Sequence, residues 1–156
     1  MSQAATALGE IRDFLRGRDL SPHSPGARQL AEAEFPAAGA ALEELFGHGP
    51  LTGPLLDPDV TEILVNGPEE IWVEKRGALV RTQGGFSGEE SLRWWVRRIL
   101  GEQGRKVDHS SPFADGVLPD GSRLHVAAPP AAGSYHLSIR KSPKAAWKLE
   151  DFIANG

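Results

Sequence analysis

The sequence predicts an α+β protein in which a small helical arm precedes an antiparallel or mixed sheet with a flanking helix. Three observations carry this reading. Apolar residues recur at helical spacing up to about residue 46 and at strand spacing from about residue 60. Composition shifts between the two regions: residues 1–50 carry four Arg against seven acidic residues and are rich in Ala and Leu, whereas residues 51–156 carry thirteen basic and fourteen acidic groups and all four tryptophans. The later apolar runs are short and separated by Gly, Pro, Asn and Asp, the residues that turn a chain.

In the arm, Leu8, Ile11, Phe14 and Leu15 form one apolar stripe and predict a first helix. Ser21-Pro-His-Ser-Pro-Gly26 ends it, because each proline disfavours helix in the residue before it. A second helical run passes through Leu30, Ala33, Ala41, Leu42, Leu45 and Phe46, with an interruption expected at Pro36. The expectation is a helical hairpin, with Gly49-Pro50 as a linker.

Val60–Val65 is a β-rich run closed by the turn signal Asn66-Gly67-Pro68. Ile71 and Val73 alternate with Trp72 and Glu74 as in a half-buried strand, and Arg76-Gly77 turns the chain into a returning strand over residues 78–82. Ser87-Gly-Glu-Glu90 reads as a capping box in front of a helix whose stripe is Leu92, Trp95, Val96, Ile99 and Leu100. Gly101 and Gly104 close that helix. Three further extended runs are predicted over residues 114–118, 123–128 and 135–141, and the start of another helix over residues 149–154.

Length and composition exclude several classes of function. A chain of 156 residues, 40% hydrophobic and 24% charged, buries a substantial core, about 68–70% of its unfolded surface. No run of 18 apolar residues offers a membrane-spanning helix, and no secretory signal pattern opens the chain. With no cysteine there is no disulfide framework, thiolate zinc site or cysteine nucleophile. A formal charge of −4 argues against nucleic acid as a partner. The G-x-x-x-x-G-K-[ST] phosphate loop does not occur, nor even a Gly-Lys dipeptide.

Asp108-His109-Ser110 invites a catalytic-triad reading, but triads are assembled in space from separated positions, and these residues serve as local turn formers. The histidines at 23, 48, 109, 125 and 136 contain no i, i+4 pair; His125 and His136 could face each other across a hairpin, still short of a usual ligand set. Leu118-Pro-Asp-Gly-Ser-Arg123 is a tight turn that delivers Arg123 to the start of a strand, and Arg140 ends the strand that follows. Two guanidiniums at adjacent strand ends either stay solvated or clamp a phosphate chain with bidentate forks. On the helix, Trp95 joins the apolar stripe, while Trp94 lies about 100° away beside Arg97 and Arg98. Trp94 either covers a second element or lies at an interface, and Trp94, Arg97 and Arg98 together form the candidate interface.

Leu55-Leu-Asp-Pro-Asp-Val-Thr-Glu-Ile-Leu-Val-Asn-Gly67 resembles the opening motif of the N-terminal domain of type II/type IV secretion traffic ATPases, in particular the Tad/Flp pilus assembly branch. Ile71–Glu74, Phe86 with the helix after it, Gly104–Asp108, Ser110–Pro112, Asp115, Leu118–Arg123, Pro129-Pro130, Ser138–Lys141 and Leu149–Phe152 follow in the order of that family. The resemblance covers residues 51–156. One departure is His109, where the family pattern has an acidic residue.

The resemblance implies a PAS-like α+β domain over residues 51–148, a variable helical arm over residues 1–50, and residues 149–156 leading into a RecA-like ATPase domain that this sequence does not contain. It implies a hexameric motor of pilus assembly or secretion, cytoplasmic and peripheral to the inner membrane, with ATP and Mg held in a cleft whose phosphate loop belongs to the second domain. Arg123 and Arg140 correspond to arginines that reach the phosphates, with Arg105 and Lys141 as secondary candidates. The implied partners are the chain's own ATPase domain, neighbouring subunits of the ring and inner-membrane platform proteins. No hydrolysis is expected of this chain alone. The competing expectation is a stand-alone adaptor that docks on a full-length secretion ATPase or pilus-base protein through Trp94, Arg97 and Arg98. A small-ligand sensor is a third, supported by fold shape only.

Overall fold

A computed structural model describes residues 3–142. The helix start over residues 149–154, the lead into a second domain and the motif Leu149–Phe152 lie outside the described residues. The arm comprises α1 (Gln3–Arg16), α2 (Ala27–Glu34) and α3 (Gly39–Phe46). A 3₁₀ turn (Gly49–Leu51) and a short α4 (Thr52–Leu56) lead into β1 (Val60–Asn66), β2 (Ile71–Lys75) and β3 (Ala78–Arg81). Then follow α5 (Glu89–Gly101), β4 (Phe113–Val117), β5 (Arg123–Ala127) and β6 (His136–Arg140).

In the arm, the α1 stripe buries Leu8, Ile11 and Leu15, while Phe14 at its edge meets Phe35 in a perpendicular contact with centroids 5.4 Å apart. The expected hairpin is three helices. Pro36 splits the second run, since Phe35 before it leaves the helical region (φ −120°, ψ 58°), and α2 and α3 pack separately on α1. Gly49-Pro50, expected as a linker, belongs to the 3₁₀ turn instead. Leu51 and Leu55 behind it are buried in the core of the sheet, and their burial holds this stretch in helical form.

The six strands form one sheet in the order β3-β2-β1-β6-β5-β4, and every pairing is antiparallel. Alternation along the strands divides the residues between two faces. Ile63, Val65, Ile71, Val73, Leu124, Val126, Leu137 and Ile139 fill one face and are buried. A bulge between Val60 and Glu62 lets Val60 join them despite its odd spacing from Ile63. α5 covers this face with Leu92, Trp95, Val96, Ile99 and Leu100. It approaches β4 at Gly116, where an added Cβ would lie 3.1 Å from Leu100 Cδ2. The opposite face carries Glu62, Leu64, Trp72, Arg123, His125, Ser138 and Arg140, and no helix packs on it among the described residues.

Buried apolar residues fall into two clusters, one within the arm and one between sheet and α5. Polar contacts from α5 join them. Glu44 on α3 is only 5% exposed, and its Oε2 accepts from the Ser87 amide (3.1 Å), the Ser87 hydroxyl (2.7 Å) and the Ser91 hydroxyl. This replaces the expected capping box. Gly88 occupies the cap position without a side-chain bond, Ser87 turns to Glu44, and Glu90 pairs with Arg93 on its own helix. At the far end of α5, Gln103 donates to the Ile99 and Val117 carbonyls and accepts from the Val117 amide, each at 2.9 Å. Gln103 thereby satisfies backbone groups on edge strand β4.

The seam gives a discriminating pair of substitutions. Glu44→Ala strands three donors and is expected to lower stability by about 2 kcal/mol in urea unfolding. Glu90→Ala, which a working capping box would make costly, is expected to change it by no more than about 0.5 kcal/mol.

Candidate functional site

The Pro119-Asp120-Gly121 turn is built locally. Asp120 Oδ1 accepts from the Ser122 amide at 2.9 Å, the Gly121 amide donates to the Leu118 carbonyl at 2.9 Å, and Gly121 takes φ +85°, where a Cβ would be strained. A Leu118 amide to Ser122 carbonyl bond of 2.8 Å closes the loop and sets the register of β4 against β5. β5 therefore begins at Arg123 and β6 ends at Arg140, and the two residues are direct cross-strand partners.

Both arginines are exposed on the open face, and neither guanidinium has an ion-pair or hydrogen-bond partner among the described residues. Like charges directly opposite on a sheet are destabilising, so the pair concentrates positive charge that no acidic side chain neutralises among the described residues. Glu62 is the β1 residue opposite Arg140, yet its carboxylate accepts from Ser138 Oγ at 3.0 Å. Two forks side by side present donors suited to a dianionic or longer phosphate group.

The secondary candidates are engaged elsewhere. Arg105 donates to the Asp115 carbonyl of β4. Lys141 Nζ donates to the carbonyls of Pro54 (3.2 Å) and Asp57, strapping the end of β6 to the α4–β1 turn. Trp94 covers a second element, the chain's own arm. Its Nε1 donates to the Leu45 carbonyl at 3.2 Å, with Arg12 5.2 Å above its ring and His23 beside it. Arg98 donates to the Phe46 and Gly47 carbonyls at the end of α3, and burial pushes its guanidinium below its ordinary value. Of the three residues of the candidate interface, Arg97 is the exposed one.

Asp108 shapes its own turn. Its Oδ1 accepts from the Ser110 amide and hydroxyl (3.0 and 2.6 Å) and the Ser111 amide (2.9 Å), and Lys106 lies 2.9 Å from Oδ2. These bonds, the Ser110 hydroxyl foremost, hold the carboxyl far below the usual range. Ser110 thus donates to Asp108 and not to His109. His125 and His136 are offset by register, opposite Ser138 and Ala127 respectively. No cluster of three or more potential metal-ligating side chains occurs among the described residues.

Two features of the structure were not read from the sequence. Asp115 meets His125 beside Arg123, a contact that counting outward from the turn would find, since Val117 pairs with Arg123 and Asp115 with His125. His48 borders a cavity of about 200 Å³ with Thr52, Leu55 and Leu118, and its ring meets Trp95 edge-on at 6.0 Å.

No protein-family model matches the chain. A Mycobacterium tuberculosis protein with a conjugal transfer name is 36% identical over 96 residues, covering 57% of this chain and 27% of the relative. The type IV secretion system protein PtlH of Bordetella pertussis is 29% identical over 97 residues, 61% of this chain and 29% of its own length. The type IV secretion system protein VirB11 of Brucella suis is 30% identical over 112 residues, 69% of this chain and 30% of its own length. The crystal structure of the Brucella suis VirB11 ATPase in complex with sulphate superimposes with TM-score 0.61 at 28% identity, covering 69% of this chain and 34% of that one. This chain is similar to part of the type IV secretion proteins VirB11 and PtlH. It spans about a third or less of the length of the proteins it matches. The α+β architecture of arm and sheet agrees with that structural neighbour.

His48 provides a test of the packing beside the turn. Burial, with Arg98 nearby, holds its imidazole below the ordinary value, so the folded chain binds fewer protons than the unfolded one near the unfolded pKa. Stability is therefore expected to fall as pH drops below about 6.5. His48→Gln is expected to shallow that decline, as read from urea midpoints across the range.

Proposed function

We propose that this chain is the N-terminal domain of a secretion or pilus-assembly ATPase, of the Tad/Flp branch, and that Arg123 and Arg140 complete a nucleotide cleft against a P-loop domain. One observation carries the proposal: the two arginines are exposed, directly opposite in register, and without an acidic partner among the described residues. The similarity to VirB11 and PtlH supports the same reading.

In this reading the paired guanidiniums donate to phosphate oxygens of ATP, whose Mg and phosphate loop belong to the second domain. Positive charge held against the terminal phosphate favours a closed arrangement of the two domains and releases it after hydrolysis. The functional unit is a hexameric ring, cytoplasmic and peripheral to the inner membrane through secretion-platform partners. Among the described residues no helix is long and apolar enough to cross a membrane. Trp94 and Arg98 are engaged by the arm, which weighs against an adaptor that would dock through that face.

The test uses the ATPase that joins this chain to its P-loop domain. Arg123→Ala and Arg140→Ala are each expected to lower turnover by about 100-fold, with folding and ring assembly retained. Unchanged turnover in both variants overturns the clamp. The chain by itself is expected to show no ATP hydrolysis, and a robust rate from it would contradict the reading equally.

A further inference from the structure

We infer that His125, positioned by Asp115, is a third anion-binding group of the open sheet face, one whose donor appears only on protonation, so that the site holds a tetrahedral dianion more tightly in mild acid. The inference rests on the proposal that Arg123 and Arg140 bind phosphate, and extends it to a residue and a regulation that this pair does not include.

His125 lies two residues from Arg123 on the same strand and face, about 7 Å along it. Ser138 is directly opposite His125 and two residues from Arg140, so Arg123, His125, Ser138 and Arg140 form a four-cornered patch. The Ser138 hydroxyl is committed to Glu62, whereas the imidazole keeps one ring nitrogen, Nε2, without a hydrogen bond among the described residues. Its Nδ1 lies 2.7 Å from Asp115 Oδ1. An ionised carboxylate can only accept, so Nδ1 carries the hydrogen and Nε2 is the nitrogen left for a ligand. The Phe113 ring stacks on the imidazole at 6.4 Å and 16°, so one partner acts in the ring plane and another on its face. His125 is thus oriented although its side chain is 57% exposed.

Neutral, this imidazole presents a lone pair at Nε2, which repels an anionic oxygen. Protonated, it presents an N–H at that nitrogen instead. The charged and titratable groups facing it are Asp115 on β4, Arg123 on β5, Arg140 and His136 on β6, and Glu62 on β1 beyond Ser138. A dianion seated between the arginines adds the negative charge that favours the imidazolium, so proton and anion binding strengthen each other. By linkage the coupling is the same in both directions.

Inorganic sulfate is the probe, because its charge is constant from mild acid to mild base, and the complete chain is the sample. Wild type is expected to bind sulfate about tenfold more tightly near pH 5.5 than near pH 8. His125→Gln, which removes the repelling lone pair, is expected to bind sulfate at pH 8 at least as tightly as wild type and to lose most of the gain at pH 5.5. Asp115→Asn is expected to reduce the gain. In parallel, the His125 Cε1–H resonance is expected to report an apparent pKa that rises when sulfate is added. A full gain at low pH in His125→Gln, or a His125 titration insensitive to sulfate, overturns the inference. Failure of the underlying clamp is a separate result: sulfate affinity at pH 8 unchanged by Arg123→Ala and Arg140→Ala.

Discussion

An antiparallel sheet with one apolar face requires a single cover, and here α5 supplies it while also holding the arm. Leu92, Trp95, Val96, Ile99 and Leu100 close the sheet, and Ser91, Trp94 and Arg98 on its other side reach α3. Burying a ring such as Trp95 is worth several kcal/mol, since truncating a core aromatic costs about 3–5. Because the covering helix and the arm lie on the same side, the other face of the sheet stays open among the described residues. The candidate site is a consequence of that asymmetry, as its residues alternate with core residues along β5 and β6.

The open face holds more uncompensated charge than stability alone would favour. Arg123 and Arg140 oppose each other, and the nearest acidic side chain in register is bonded to Ser138. Some charges elsewhere are paired, as between Lys75 and Asp57 at 2.7 Å or Arg28 and Glu32 at 2.7 Å, but no other two guanidiniums are direct cross-strand partners among the described residues. A like-charged pair at adjacent strand ends, placed there by a turn whose every bond is local, is the pair of donors on which the proposed phosphate clamp rests.

Much of this was legible in the sequence, for definable reasons. Strand alternation in Ile71–Glu74, the turn chemistry of Asn66-Gly67 and Pro119-Asp-Gly121, and the apolar stripe of α5 are local signals, and the strands and helix formed where they pointed. Local rules failed where a distant residue competed. Ser87 had a partner three positions away, Glu90, by the capping rule, but Glu44, remote in sequence and buried, took its hydroxyl and amide together. Gly49-Pro50 read as a linker because α4 has only five residues, too few for a period to show, and the burial of Leu51 and Leu55 that stabilises it is tertiary. At the site, the two arginines stood out by type and strand position, whereas Asp115 and His125 did not, because their contact depends on hairpin register. The commitment of Trp94 and Arg98 to the arm likewise depends on how α3 meets α5.

The central claim is that the functional surface of this protein is the open face around Arg123 and Arg140. Backbone amide chemical-shift mapping of the complete chain titrated with tripolyphosphate tests it most directly. The account predicts that the largest shifts cluster at the ends of β5 and β6 and in the Leu118–Ser122 turn, with the arm helices unaffected. Shifts confined to α1–α3, or a titration that leaves Arg123 and Arg140 unmoved, would contradict it.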